Sequence, residues 1–205
     1  MAAPPLSRSA GKRADILGAA EELFLAQGYL GTGMDEVAAR ARVSKPTIYA
    51  HFGGKEALFV EVVSTMTGGA SDQVQNRTTE VDDDVAGGLR AFATRQLTIV
   101  LDPRLLRLRQ LVIGEAPRFP ELAEALFTAG PARAIGELTR LVTAYAGRGL
   151  LRVDDARVAA THLNWLIMGA PLNEAMLLGH GAVPGHEALR RHVEEVVRIF
   201  VAAYS

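Results

Sequence analysis

The chain has 205 residues and no cysteine. Structural disulfides and thiolate metal sites are therefore excluded, and the composition suits a reducing cytosol. No sign of charge dominates: the formal net charge is −1. Residues 1–60 hold seven Lys/Arg and six Asp/Glu, and residues 61–205 hold fifteen and seventeen. Charge alone therefore does not advertise a nucleic-acid binder. Lysine is scarce, and Lys12, Lys45 and Lys55 all lie within the first 55 residues. The first fifteen residues are polar, with Pro4-Pro5 and no apolar run, so no signal peptide is expected. The most apolar late stretch, 163–178, is interrupted by Asn164, Asn173 and Glu174, too often for a membrane span.

Catalytic signatures are missing as well. The five histidines (His51, His162, His180, His186, His192) form no H-E-x-x-H pair and no triad signature. There is no G-x-G-x-x-G, P-loop or G-x-S-x-G. Neither an enzyme nor a metal or cofactor site is expected. Asp82-Asp83-Asp84 is read as capping the next helix rather than as a metal cluster.

Nearly half of the residues (49%) are hydrophobic, enough to bury a real core. Residues 1–9 show no periodicity and are expected to be disordered. Residues 10–27 read as a helix with Ile16, Ala20, Leu23 and Phe24 on one stripe, closed by Gly28 in a left-handed cap. Lys55 opens a further helix bearing Phe59, Val62, Val63 and Met66, and residues 68–84 read as irregular. Helices follow at 85–101, from Pro103, at 121–129, at 131–147 (split from the preceding one at Gly130-Pro131), at 155–178 and at 186–204. No strand pattern appears, so the fold class is all-α.

Residues 32–55, TGMDEVAARARVSKPTIYAHFGGK, carry the densest information. Thr32 and Asp35 fit a capping box. Met34, Val37, Ala38 and Ala41 then recur at helical spacing. Arg42-Val43-Ser44 breaks that pattern, Ser44 is a good N-cap, and Pro46 falls in the following first turn, where its missing N–H costs nothing. The next helix is about two turns long and crowded with the donors Lys45, Thr47, Tyr49 and His51. A short, donor-rich helix after a compact turn has the shape that enters the DNA major groove.

At these residues the chain resembles the DNA-binding domain of the tetracycline-repressor (TetR) family of bacterial regulators. The resemblance runs from Arg13 to Val63 through Ile16-Leu17, Ala19-Ala20, Leu23-Phe24, Gly28-Tyr29, Thr32, Val37-Ala38, Val43-Ser44, Thr47-Ile48-Tyr49, His51-Phe52 and Lys55-Glu56-Ala57-Leu58. A weaker resemblance to AcrR-like members covers Arg109 to Leu122.

The resemblance implies a three-helix helix-turn-helix domain at 1–55 and a larger helical ligand-binding and dimerisation domain at 56–205. It implies a cytoplasmic DNA-binding regulator, a repressor released from a palindromic operator by a small-molecule inducer. The alternative is a DNA organiser or protein-regulated factor with the same head and no inducer. The implied DNA-binding set is Thr32, Arg42, Ser44, Lys45, Pro46, Thr47, Tyr49, His51 and Lys55. Lys45 and Tyr49 would read bases, and Thr47, His51 and Lys55 would hold phosphates. Arg42 departs from the family's usual Gly and would be strained at positive φ.

A homodimer would double the DNA contacts. The faces expected to meet a second copy are Leu163, Leu166, Ile167 and Ala170 on the 155–178 helix, and Leu189, Val193, Val196, Val197 and Phe200 on the last. The other stripe of the 155–178 helix, with His162, Trp165 and Met168, is expected to line a ligand pocket with Phe92, Gln96, Phe127 and Tyr145.

Overall fold

The structure is a computed structural model and describes residues 8–75 and 83–205. Among the described residues there are ten α-helices and no strand, so the all-α expectation holds. They are α1 (Arg8–Gly31), α2 (Met34–Ala41), α3 (Lys45–Phe52), α4 (Lys55–Gln75), α5 (Val85–Val100), α6 (Pro103–Glu115), α7 (Pro120–Phe127), α8 (Arg133–Gly147), α9 (Ala156–Leu178) and α10 (His186–Tyr204). The chain divides into two compact units. One holds the described residues through Met66 together with Arg107–Leu126, and the other holds Thr67–Leu106 and Phe127–Ser205. The boundary expected at residue 55 thus falls inside the first unit.

The first unit is built around an aromatic cluster. Phe24 and Phe59 have ring centroids 4.6 Å apart, Tyr29 lies 5.0 Å from Phe59, and Phe119 meets Tyr29 edge-on at 4.7 Å. Ile16, Ala20 and Leu23 of α1, Val37 of α2, Ile48 of α3 and Leu58 of α4 complete its core. Gly28 (φ 78°, ψ 173°) interrupts α1, in a region where a side chain would be strained. This break lets Tyr29 turn inward to the cluster.

In the second unit, α5, α8, α9 and α10 enclose one apolar core containing Leu89, Phe92, Leu97, Leu138, Val142, Leu163, Ile167, Val196 and Phe200. At Gly88 a Cβ would collide with the Tyr145 hydroxyl, so glycine permits the close approach of α5 and α8. Asp84 caps α5 by accepting from Gly87 N at 2.7 Å, and Asp155 caps α9 by accepting from Arg157 N and Val158 N. Pro171 lies inside α9 and has no N–H to give the Ile167 carbonyl four residues back. His192 of α10 fills that vacancy with Nε2 at 2.9 Å from the carbonyl oxygen. A carbonyl only accepts, so Nε2 carries the proton.

Two expectations about the chain's course need correction. α4 continues through Gln75, so 68–75 are helical rather than irregular. Of the tail expected at 1–9, Arg8 and Ser9 already belong to α1, while residues 1–7 and 76–82, including Asp82, lie outside the described residues. Gly130-Pro131 does not separate two helices. Thr128–Ala132 forms a wider π-type turn with helical angles at both flanks, which accommodates Pro131 without a break.

Candidate nucleic-acid interface

The α2–α3 turn is held by backbone. Val43 N donates to Ala38 O at 3.0 Å and Arg42 N to Ala39 O at 3.2 Å, the paired bonds of a Schellman motif. That motif needs a left-handed residue, and Arg42 takes it (φ 55°, ψ 40°), the one non-glycine residue at positive φ among those described. The expected strain at Arg42 is therefore present. Its side chain is exposed.

Ser44 then starts α3 as expected. Its Oγ accepts from Thr47 N at 3.3 Å and shares a hydrogen bond with Thr47 Oγ1 at 2.7 Å. Pro46 stands in the first turn. Ile48 is fully buried and pins the helix to the first unit's core. The opposite side is left to solvent: Ser44, Lys45, Pro46 and Tyr49 are exposed, with Thr47 and His51 half-buried beside them. Tyr49 keeps its aromatic ring 44% exposed on that side.

Two residues of the implied DNA-binding set, Thr32 and Lys55, are placed differently from the expectation, and a third, Lys45, is outward as expected but already paired. Thr32 does not cap α2. It is buried and donates its hydroxyl to Gly28 O at 2.8 Å, while Gly33 takes the N-cap position without a side-chain bond. Thr32 therefore braces the Gly28 break and does not present its side chain outward. Lys55 is half-buried, with Nζ 4.6 Å from the centre of the Tyr29 ring. Burial holds its ammonium below the usual lysine range, against the opposing pull of Glu115. Lys45 does project to solvent, but its Nζ is 3.0 Å from Asp35 Oδ2. The hydrogen bond and then the charge of Asp35 raise its pKa above the usual lysine value. Sequence reasoning used Asp35 only as a capping residue and missed this pairing, which joins positions ten apart across a turn.

The second unit corrects the assignment of α9's two stripes. Leu163, Ile167, Val193, Val196, Val197 and Phe200 are buried within their own unit's core and present no surface to a second copy. Leu189 packs partly buried against that core. Only Leu166 and Ala170 of the expected dimer set are exposed. They share their face with Val158, His162, Trp165 (52% exposed), Gly169 and Leu177. His162 and Trp165, expected inside a pocket, therefore point outward, as does Phe127. Phe92, Gln96, Tyr145 and Met168 are buried as expected of an interior site. Gln96 Nε2 donates to Asn164 Oδ1 at 2.8 Å, a buried amide pair between α5 and α9. The remaining Gln96 Oε1 is buried with no hydrogen-bond partner. Asn164, which interrupts the apolar run of α9, thus has its partner across the core. No group of His, Asp or Glu suited to a metal ion occurs among the described residues, and no described helix is long and apolar enough to cross a membrane.

Comparison with known proteins fits both units. Residues 16–62 match the family described as bacterial regulatory proteins, tetR family, and residues 87–205 match the AefR-like transcriptional repressor, C-terminal domain. A TetR-family transcriptional regulator from Mesorhizobium loti MAFF303099 is 35% identical, with a TM-score of 0.89 over 98% of this chain and 100% of that one. The flavonoid-responsive regulator FrrA is 28% identical, with a TM-score of 0.81 over 95% of this chain and 97% of that one. The HTH-type transcriptional activator FasR of Mycolicibacterium smegmatis is 48% identical over 52 residues, 25% of this chain and 24% of FasR. The matched stretches span between 24% and 43% of the length of the curated relatives. With both regions of the chain matched and a solved relative alike along its whole length, the chain belongs to the TetR family of transcriptional regulators.

Proposed function

We propose that this chain is a cytoplasmic repressor that binds a near-palindromic double-stranded DNA operator as a homodimer and is released by a small-molecule inducer. The carrying observation is the two-sided character of α3: Ile48 anchors it while Lys45, paired with Asp35, and Tyr49 are exposed on the other face. Lys45 is suited to guanine O6 and N7, and Tyr49 to a thymine methyl. Thr47 and His51, half-buried beside them, are the residues we assign to phosphates. The DNA-facing role of Thr32 passes to its backbone, and that of Lys55 to the N-terminus of α4.

One α3 offers few contacts, whereas specific sites need a Kd of about 10⁻⁸ M or tighter. Two copies supply the difference. The exposed α9 face of Val158, Trp165, Leu166, Ala170 and Leu177 is the surface we assign to the second copy, because an apolar stripe of this length is seldom left in water.

Repression rather than activation is supported by the AefR-like match of the second unit. Ligand response is supported by likeness to a regulator named for its response to flavonoids, and by the buried Gln96–Asn164 pair with an acceptor still unmet. The test is a mobility-shift titration with operator fragments. Tyr49→Ala should abolish the shift while leaving the helical circular-dichroism signal intact. Unchanged affinity would refute the assignment of α3.

A further inference from the structure

We propose that Asp35 and Lys45 act as one reading unit that selects a G·C base pair in each half-site. This rests on α3 entering the major groove. The two side chains come from different helices, α2 and α3, and meet at 3.0 Å between Nζ and Oδ2. Asp35 is 81% exposed in its side chain and Lys45 43%, so the pair is presented to solvent rather than used as packing.

The spacing suits one base-pair edge. In the major groove a G·C pair presents guanine N7 and O6 as acceptors and the cytosine N4 amino group as donor. O6 and N4 are hydrogen-bonded to each other, so they lie about 2.9 Å apart. A donor and an acceptor 3.0 Å apart can lie antiparallel on that edge. The ammonium then rests over O6 with N7 beside it, and the carboxylate accepts the outward N4 hydrogen. An A·T pair offers the same spacing between N6 and O4. There the ammonium could reach O4 and the carboxylate N6, but the carboxylate would lie beside the lone pair of adenine N7 and the ammonium beside the thymine methyl group, so the flanking groups disfavour the pair.

Lysine alone donates to guanine O6, guanine N7 or thymine O4 and distinguishes them weakly. The carboxylate adds the exclusion, because it is repelled by an acceptor beside its contact, as adenine N7 is. It also carries a negative charge toward the phosphates, and Lys45 offsets that charge. Asp35 is thus a specificity-determining residue that lowers general affinity and sharpens sequence choice.

The experiment is binding-site selection from random duplexes with the full chain, run in parallel on wild type, Asp35→Asn, Asp35→Ala and Lys45→Met, with melting temperatures recorded for each. Wild type should enrich G·C at one symmetry-related position per half-site, with about tenfold loss of affinity on replacement by A·T. Lys45→Met should erase the preference at that position. Both Asp35 variants should reduce it to about twofold, while the other positions and the melting temperature stay unchanged. Enrichment of A·T at that position overturns the proposal. So does an Asp35 variant that weakens all sequences equally, which would make the pair a brace between helices. If wild type enriches no sequence, operator reading fails and the proposal falls with it. If an operator is selected but Asp35 leaves every position unaltered, only the proposal falls.

Discussion

Helices α3 and α9 solve opposite problems. α3 has eight residues and buries one, Ile48, whereas α9 has 23 residues and buries nine. Eight residues cannot sustain a helix in water, because nucleation is too costly for so few hydrogen bonds. α3 therefore borrows its position from the Ser44 cap, from the backbone bonds around Arg42 and from the single anchor at Ile48. Lys45, Pro46, Tyr49 and Ala50 remain exposed on its outer side. α9 is stabilised by its own burial, and among the residues it leaves outside are the large apolar Val158, Trp165, Leu166 and Leu177, beside the polar His162 and Asn173. A surface that reads DNA is polar and held from behind. The surface we assign to a second copy of the chain is largely apolar and belongs to a helix that is already stable.

The largest effect should come from two leucines three residues apart on α9. Leu163→Ala empties a fully buried position and should cost about 2–5 kcal/mol by chemical denaturation of the chain. Leu166→Ala should change the monomer's stability by less than about 0.5 kcal/mol. The readout for Leu166→Glu is instead sedimentation: the dimer should dissociate. A stable Leu163→Ala variant that dissociates, with Leu166→Glu still dimeric, would reverse the assignment of the two faces.

His192 should matter next. His192→Ala leaves the Ile167 carbonyl, freed by Pro171, without its donor and should cost about 1–3 kcal/mol. Restoring an N–H with Pro171→Ala in the same chain should recover part of that loss, a coupling that a double-mutant cycle measures. The smallest effect belongs to the reading side. Arg42→Gly relieves a left-handed arginine and should stabilise by about 1 kcal/mol. That amounts to a melting-temperature rise of roughly 2–4 °C for a chain of this size. A lower melting temperature would show that the exposed guanidinium contributes more than its backbone conformation costs.

The two helices also differ in how much of them could be read from residues alone. α3 was legible because each of its residues answers a local rule: a serine cap, a proline in the first turn, one apolar residue among donors. Strain at Arg42 was legible only through the resemblance, because the family usually has Gly at that position of the turn. α9 was legible as a helix but not as an orientation. Apolar on nearly every side, it offers two stripes, and periodicity does not say which one faces the chain's own core. Burial reverses the reading: Leu163 and Ile167 turn inward, and Trp165 and His162 turn out. Contacts between distant positions stayed hidden as well, among them Lys55 on Tyr29, Gln96 with Asn164 and Lys45 with Asp35. Each is a short-range interaction between residues that the sequence sets apart, and no local rule names the partner.

The central claim is that two copies of α3 read one operator. Hydroxyl-radical footprinting of the wild-type chain on a selected operator tests it most directly. The account predicts two inverted protected half-sites with centres about one helical turn, 10–10.5 base pairs, apart or a multiple of that spacing. Uniform protection that does not depend on sequence, or a single half-site bound by a monomer, would contradict it.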